Sequence, residues 1–265
     1  MRGQDTENLR ENSRGLREPS GVQRLLLRAV AKPVASRFGK ATPSYPLGRY
    51  HRFASLFAQQ LPTSCTIQGD KRRSQPMTRV LLIAGDATES LDTWYPYHRL
   101  REEGIEVHIG APVKKILKSV VHDFESGWDT YVEKPGYHIP ADIAFVDVQP
   151  GDYNAIILSG GRAPEYLRND PQLQKIVRHF VQGKKPIAAL CHGVLILAAV
   201  DGIRGCTVAT YEALAPDVER AGGKFKNTEV VVEGNLVTSR TWMDLPFFMR
   251  EFLKILRGSE QSVAA

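Results

Sequence analysis

The chain has 265 residues, 42% hydrophobic and 24% charged, a balance that suits a folded globular protein and excludes a collagen-like or low-complexity one. No apolar run reaches the roughly 20 residues that a bilayer span needs, so no membrane partner is expected. The net charge of +6 is uneven: residues 1–76 hold 14 Lys and Arg against 5 Asp and Glu, and the rest holds 21 against 24, so no nucleic-acid partner is expected for the mildly acidic remainder.

Residues 1–76 show no steady period and are rich in Arg, Ser, Pro and Gln. They read as a disordered extension, or as a mis-assigned start with translation beginning at Met77. Asp5, Glu7, Glu11 and Glu18 count against a transit peptide. Residues 77–265 read as one α/β domain. "RVLLIAG" (79–85) is an apolar run bounded by Gly, hence a buried strand. "LDTWYPYHRLREEG" (91–104) has helical spacing and a Gly stop, and "IEVHIGAP" (105–112) is the next strand. "VVHDF" (120–124), with His122, reads as an irregular segment. "YNAIILSGG" (153–161) is a strand ending in a glycine pair, and "DPQLQKIVRHFVQGKK" (170–185) is a helix with Pro in its first turn. Strand "PIAAL" (186–190), helix "HGVLILAAV" (192–200), strand "TVAT" (207–210) and helix "EALAPDVERAGG" (212–223) follow. Two short strands in 229–239 and a helix over 245–257 complete the chain. This alternation predicts a mostly parallel sheet covered on both faces.

The chemistry concentrates at "ALCHG" (189–193). Cys191 follows a buried strand and opens a helix, a turn that lifts a nucleophile towards the carboxyl ends of the strands. A helix N-terminus there is expected to favour thiolate; the ordinary alternative is an inert buried cysteine. His192 is a proton-carrier candidate beside it. Amides of Gly160, Gly161 and His192 are candidates to hold an oxyanion. Glu89 and Asp92, three apart after the first strand, form either a helix cap or a proton store beside the thiol. Glu165 lies just past the glycine pair. Arg162 and His122 are further pocket candidates, with Asp92. His98 is expected at the surface or in a subunit contact. Cys206 reads as packing, and Cys65 carries no reading. Three sparse cysteines fit a reducing, cytoplasmic compartment. A Cys–His pair alone lacks metal-ligand spacing, so no metal is expected.

"SGGRAPEYLR", "KPIAALCHG" and "YPYHRLREEGIEVHI" resemble the PfpI/ThiJ family of the class I glutamine amidotransferase-like superfamily, over about Met77 to Arg257. The resemblance implies a flavodoxin-like three-layer α/β sandwich with a Cys nucleophile elbow. It assigns the reactive thiol to Cys191, the adjacent histidine to His192 and the carboxylate on the thiol to Glu89, with Asp92 as second choice. Glu165 would come from a neighbouring subunit of a dimer or hexamer. The stretch 121–148 resembles branches linked to cofactor-independent glyoxalase activity. The expected function is cysteine-dependent chemistry on a small carbonyl substrate without a cofactor, of glyoxalase or deglycase type, methylglyoxal to lactate. The alternatives are a peptidase with a Cys191–His192–Glu165 site across a subunit interface, and redox sensing through Cys191 in a stress response.

Overall fold

The computed structural model describes residues 77–263, with side chains to Ser259. The expectations for residues 1–76, Cys65 among them, lie outside the described residues. In chain order come β1 (Arg79–Ile83), α1 (Ser90–Glu102), β2 (Glu106–Ala111), β3 (Ile116–Asp123), β4 (Val132–Pro140), β5 (Ile143–Ala144) and β6 (Ala155–Leu158). Then follow α2 (Ala163–Leu167), α3 (Pro171–Gln182), β7 (Ile187–Leu190), α4 (Val194–Ala198), β8 (Thr207–Val208), α5 (Ala215–Arg220), β9 (Lys224–Phe225), β10 (Val230–Glu233), β11 (Leu236–Ser239) and α6 (Leu245–Val263).

The central sheet runs β10-β11-β7-β6-β1-β2-β5, parallel throughout except for the β10–β11 hairpin at one edge. The strands are short apolar runs because both faces are covered. Alternate residues serve opposite layers. Leu81, Ile83, Ile156 and Leu158 meet α3 and α4, while Val80, Leu82 and Ile157 meet α1 and α6. Helix α3 shows how its sequence specifies this. Asp170 caps its first amides and Pro171 opens it, and the helical spacing of Leu173, Ile176, Val177 and Phe180 buries one stripe. The result is the flavodoxin-like three-layer α/β sandwich. Strand order reverses around β1 and β6, and ligand sites in such sheets form outside the carboxyl ends of the strands at that point.

Three elements depart from the sequence expectation. The segment around His122 that read as irregular belongs to the antiparallel hairpin β3–β4, and His122 lies on β3. Pro135 and Gly136 interrupt the alternation there, and the register shifts between Lys118 and Val120, so no clean period of two survives. The helix expected over 192–200 is a 3-10 turn (Cys191–Gly193) followed by the five-residue α4. The helix expected over 212–223 is likewise a 3-10 turn and the short α5. Gly104 does end α1 at φ 77°, whereas after α3 Lys184 takes the left-handed conformation at φ 49° instead of Gly183. Among the described residues no helix is long and apolar enough to cross a membrane.

Candidate active site

Cys191 leaves β7 with φ 53°, left-handed backbone that a non-glycine residue adopts at a cost of about 1–2 kcal/mol. Surrounding structure holds it there. Its carbonyl accepts a 2.7 Å hydrogen bond from Thr210 Oγ1. Gly193 presses against the end of β6, where an added Cβ would sit 2.3 Å from the Leu158 carbonyl oxygen. The turn brings Cys191 Sγ to 3.3 Å from His192 Nδ1, and both side chains are buried.

Two loops wrap this turn. The loop after β1 and the one after β6 are laced by Glu89 N–H to the Gly160 carbonyl and by Thr88 Oγ1 to Ser159 Oγ at 2.9 Å. Thr93 Oγ1 on α1 joins Ser159 Oγ at 2.7 Å. An added Cβ on Gly160 would lie 2.3 Å from Asp92 Oδ2 and 2.7 Å from Cys191 Cβ, so carboxyl and cysteine converge on that glycine.

Glu89 satisfies both of its sequence readings. It is the N-cap of α1, its Oε2 accepting the Asp92 N–H at 2.8 Å, and it is buried beside the thiol. Its Oε1 and both Asp92 oxygens are buried without a hydrogen-bond partner. Burial and the charge of Glu89 push Asp92 well above the ordinary carboxylate range. Burial also raises Glu89, but surrounding backbone amides oppose that. Burial therefore favours a protonated pair, and more strongly so at Asp92. Asp92 also acts more strongly on the Cys191 thiol than Glu89 does. The resemblance gave the acid role to Glu89, with Asp92 as second choice, and both carboxyls lie beside the thiol.

The expectation of a thiolate made by the helix N-terminus is corrected. Burial, and then Asp92 whenever it is ionised, push the Cys191 thiol well above its ordinary value, and the facing amides of His192 and Gly161 do not offset this. A 3-10 turn and five helical residues give a weak dipole, whose effect is typically 0.3–1 kcal/mol, up to about 2 kcal/mol in partly buried geometries. Burial above all holds His192 down to about 4, so its imidazole is neutral at neutral pH. With its proton on Nε2, Nδ1 is free to take the thiol proton.

Of the three expected oxyanion amides, those of Gly161 and His192 face the sulfur, whereas that of Gly160 turns towards Asp92 without reaching hydrogen-bond geometry. Glu165, on α2, needs no neighbouring subunit to approach the histidine. Its Oε1 stands 3.9 Å from His192 Nε2 within the same chain.

Arg162 is already engaged, its Nε and Nη2 donating at 2.7 Å each to the two carboxylate oxygens of Glu133 on β4. Burial keeps His122 below its ordinary value, and the neutral ring donates from Nε2 to Glu133 Oε2 at 3.2 Å. This clasp ties the hairpin to the glycine-pair loop. Two residues before Glu133, Tyr131 stands edge-on to the His192 ring at 6.4 Å. Tyr211 stacks on His192 at 5.6 Å. Because the clasp is partly exposed, Arg162→Ala is expected to change stability by less than about 1 kcal/mol. The loosened hairpin should let iodoacetamide alkylate Cys191 roughly three- to tenfold faster. An unchanged alkylation rate would show that the clasp does not hold the hairpin over the thiol.

Sequence reasoning missed the hydroxyls of Thr88, Thr93, Ser159 and Thr210, together with Glu133, Tyr131 and Tyr211. The one usable signal was the run of Thr and Ser around Glu89 and before the glycine pair. His98 is exposed and stacks on Trp94, and half-buried Cys206 packs against the core. A surface groove of about 660 Å³ lies along α1 between Leu91 and Glu102 and does not include the cysteine. The aromatic-roofed turn, where the titratable groups meet, is the better candidate.

A model of the DJ-1/PfpI family matches residues 78–255. "Deglycase PH1704" of Pyrococcus horikoshii is 38% identical over 179 residues, 68% of this chain and 99% of its own. "Putative cysteine protease YraA" of Bacillus subtilis is 32% identical over 179 residues, 68% of this chain and 98% of its own. Among solved structures, a two-domain protein of Anabaena variabilis with DJ-1/ThiJ/PfpI-like and ferritin-like domains superposes with a TM-score of 0.59 at 26% identity, over 68% of this chain and 48% of that one.

Proposed function

The chain belongs to the DJ-1/PfpI family, and from that premise we propose that it is a cysteine-dependent enzyme that converts reactive 2-oxoaldehydes such as methylglyoxal to 2-hydroxy acids without a cofactor. The observation that carries this reading is the meeting of a strained, buried thiol, a neutral imidazole 3.3 Å away and a carboxyl pair whose burial favours the protonated form. The Sγ–H proton passes to His192 Nδ1 as sulfur bonds to the aldehyde carbon. The new oxyanion faces the amides of Gly161 and His192 and takes up a proton, giving a hemithioacetal. The hydrogen on that carbon leaves as a proton to a base of the site, His192 or Glu89, and a proton is returned to the neighbouring carbon. The product of that shift is a thioester bearing a hydroxyl on the second carbon. Water breaks the C–S bond, releasing the 2-hydroxy acid and restoring the thiol. Aldehyde plus water balances hydroxy acid, with no external oxidant or reductant. The deglycase name of the Pyrococcus relative supports carbonyl chemistry of this kind.

The test is methylglyoxal consumption by the purified protein without glutathione or added metal, with lactate measured as product. Lactate formation is expected; no loss of methylglyoxal over the buffer blank would sink the reading.

A second reading is a cysteine peptidase, favoured by the in-line order Sγ, Nδ1, Nε2 and the Glu165 carboxylate in one chain. The protease name of the Bacillus relative is consistent with it. It ranks lower because the imidazole that accepts the thiol proton is fixed to the adjacent residue. That attachment limits its reach to a leaving amine.

A further inference from the structure

A continuous run of aromatic rings leads from the surface to the reactive turn. Phe124, 55% exposed, stacks on Trp242 at 5.6 Å. Trp242 meets the His122 ring at 6.2 Å, and His122 meets Tyr131 at 4.2 Å. Tyr131 meets both Tyr211, at 5.5 Å, and His192. Exposure is greatest at the outer end of this run: Phe124 is open, Trp242, Tyr131 and Tyr211 are half-buried, and the two histidines are buried. The run comes from four separated segments: the β3–β4 hairpin, the Cys191–Gly193 turn, the residue after the Thr210 anchor and the 3-10 turn before α6. Burial above all holds the Tyr131 phenol up at about 12. The Arg162–Glu133 clasp fixes the hairpin end of the run.

We propose that these rings form the substituent wall of the substrate site and that Trp242 and Tyr131 make the protein select 2-oxoaldehydes carrying a flat aromatic group over those carrying a methyl. The proposal rests on the carbonyl reading above. A substrate whose aldehyde carbon bonds to Cys191 Sγ must point its remaining group somewhere. Ring faces and edges reward a second ring by edge-to-face and offset contacts, whereas a methyl group offers little surface to any of them. The half-buried rings at the middle of the run leave the wall open to an incoming group, in contrast to the fully buried core phenylalanines. Tyr131 and Trp242 touch the substituent but not the reacting atoms, so they are specificity-determining residues.

The experiment compares kcat/KM for phenylglyoxal and methylglyoxal in the full chain and in Trp242→Ala and Phe124→Ala. Phe124 is exposed, so its replacement keeps the test alive if Trp242→Ala does not fold. Wild type is expected to favour phenylglyoxal by roughly tenfold or more, with most of the difference in KM, and that ratio should fall several-fold in either variant. A wild-type ratio of one or less, or a ratio unchanged in every variant that folds, overturns the proposal. Protection of Cys191 from iodoacetamide by acetophenone, against acetone, reads the wall without turnover. If neither aldehyde is consumed but acetophenone protects wild type better than the variants, the wall stands and the carbonyl reading fails. If the two ketones protect equally, the wall fails whatever the turnover.

Discussion

Cys191→Ala is expected to abolish turnover of 2-oxoaldehydes, by at least roughly 10⁴-fold, because it removes the only atom that bonds to the substrate. Alanine meets the same φ of 53° as cysteine, and the thiol is already a buried, unfavourable place for charge. Thermal stability should therefore move by no more than about 1 kcal/mol. Loss of activity with an unchanged unfolding midpoint identifies a chemical role, whereas retained turnover refutes it. The protonation state of the thiol gives an independent check. Burial and the neighbouring carboxylates push Cys191 up, so its alkylation rate in wild type should still be climbing above neutral pH. A plateau reached below neutral pH would mean that the thiol is held as thiolate and that these carboxyls do not act on it.

Asp92→Asn is expected to trade activity for stability. Asp92 is completely buried, with neither oxygen hydrogen-bonded, and burial and the Glu89 charge favour its protonated form. Its folded pKa lies above the unfolded value of 3.8, so the stability it contributes is complete only below that value. It is lost progressively as the pH rises towards the folded pKa. At neutral pH the aspartate is thus a cost. An asparagine carries no ionisable proton, turns its carbonyl towards the Gly160 amide and offers its NH₂ to Glu89. The variant should be more stable than wild type by about 1–3 kcal/mol at neutral pH, a margin that shrinks towards pH 3.8. Activity should fall roughly 10²- to 10⁴-fold, the usual worth of a positioned proton donor. Urea denaturation at two pH values together with turnover measures both. A less stable variant, or one with full activity, contradicts the assignment of the proton to Asp92.

The thiol and its setting were legible because they break local rules. A cysteine and a histidine between an apolar strand and a helix without a capping side chain stand out in any reading of 184–200. The glycine pair at 160–161 was legible for the same reason, since only a glycine leaves room for Asp92 and Cys191 to approach. The roof was not legible. Tyr131, Glu133 and His122 lie on a hairpin whose alternation is spoiled by Pro135, Gly136 and a register shift, and Tyr211 looks like an ordinary loop residue.

By itself, the sequence determined a mostly parallel sheet covered on both faces, because apolar strand runs alternating with amphipathic helices must be buried between helical layers; the three-layer sandwich was what the family resemblance implied. It also determined the position of Cys191 at the carboxyl end of β7. The tertiary structure alone decided the protonation of the site. It placed Asp92 and Glu89 together out of water beside the sulfur, which sets their charges against each other and against the thiol. It also decided that Glu165 reaches His192 within one chain, because α2 folds directly back over the 3-10 turn. Charge and reach depend on distances between segments tens of residues apart, and no local pattern of residues encodes those distances.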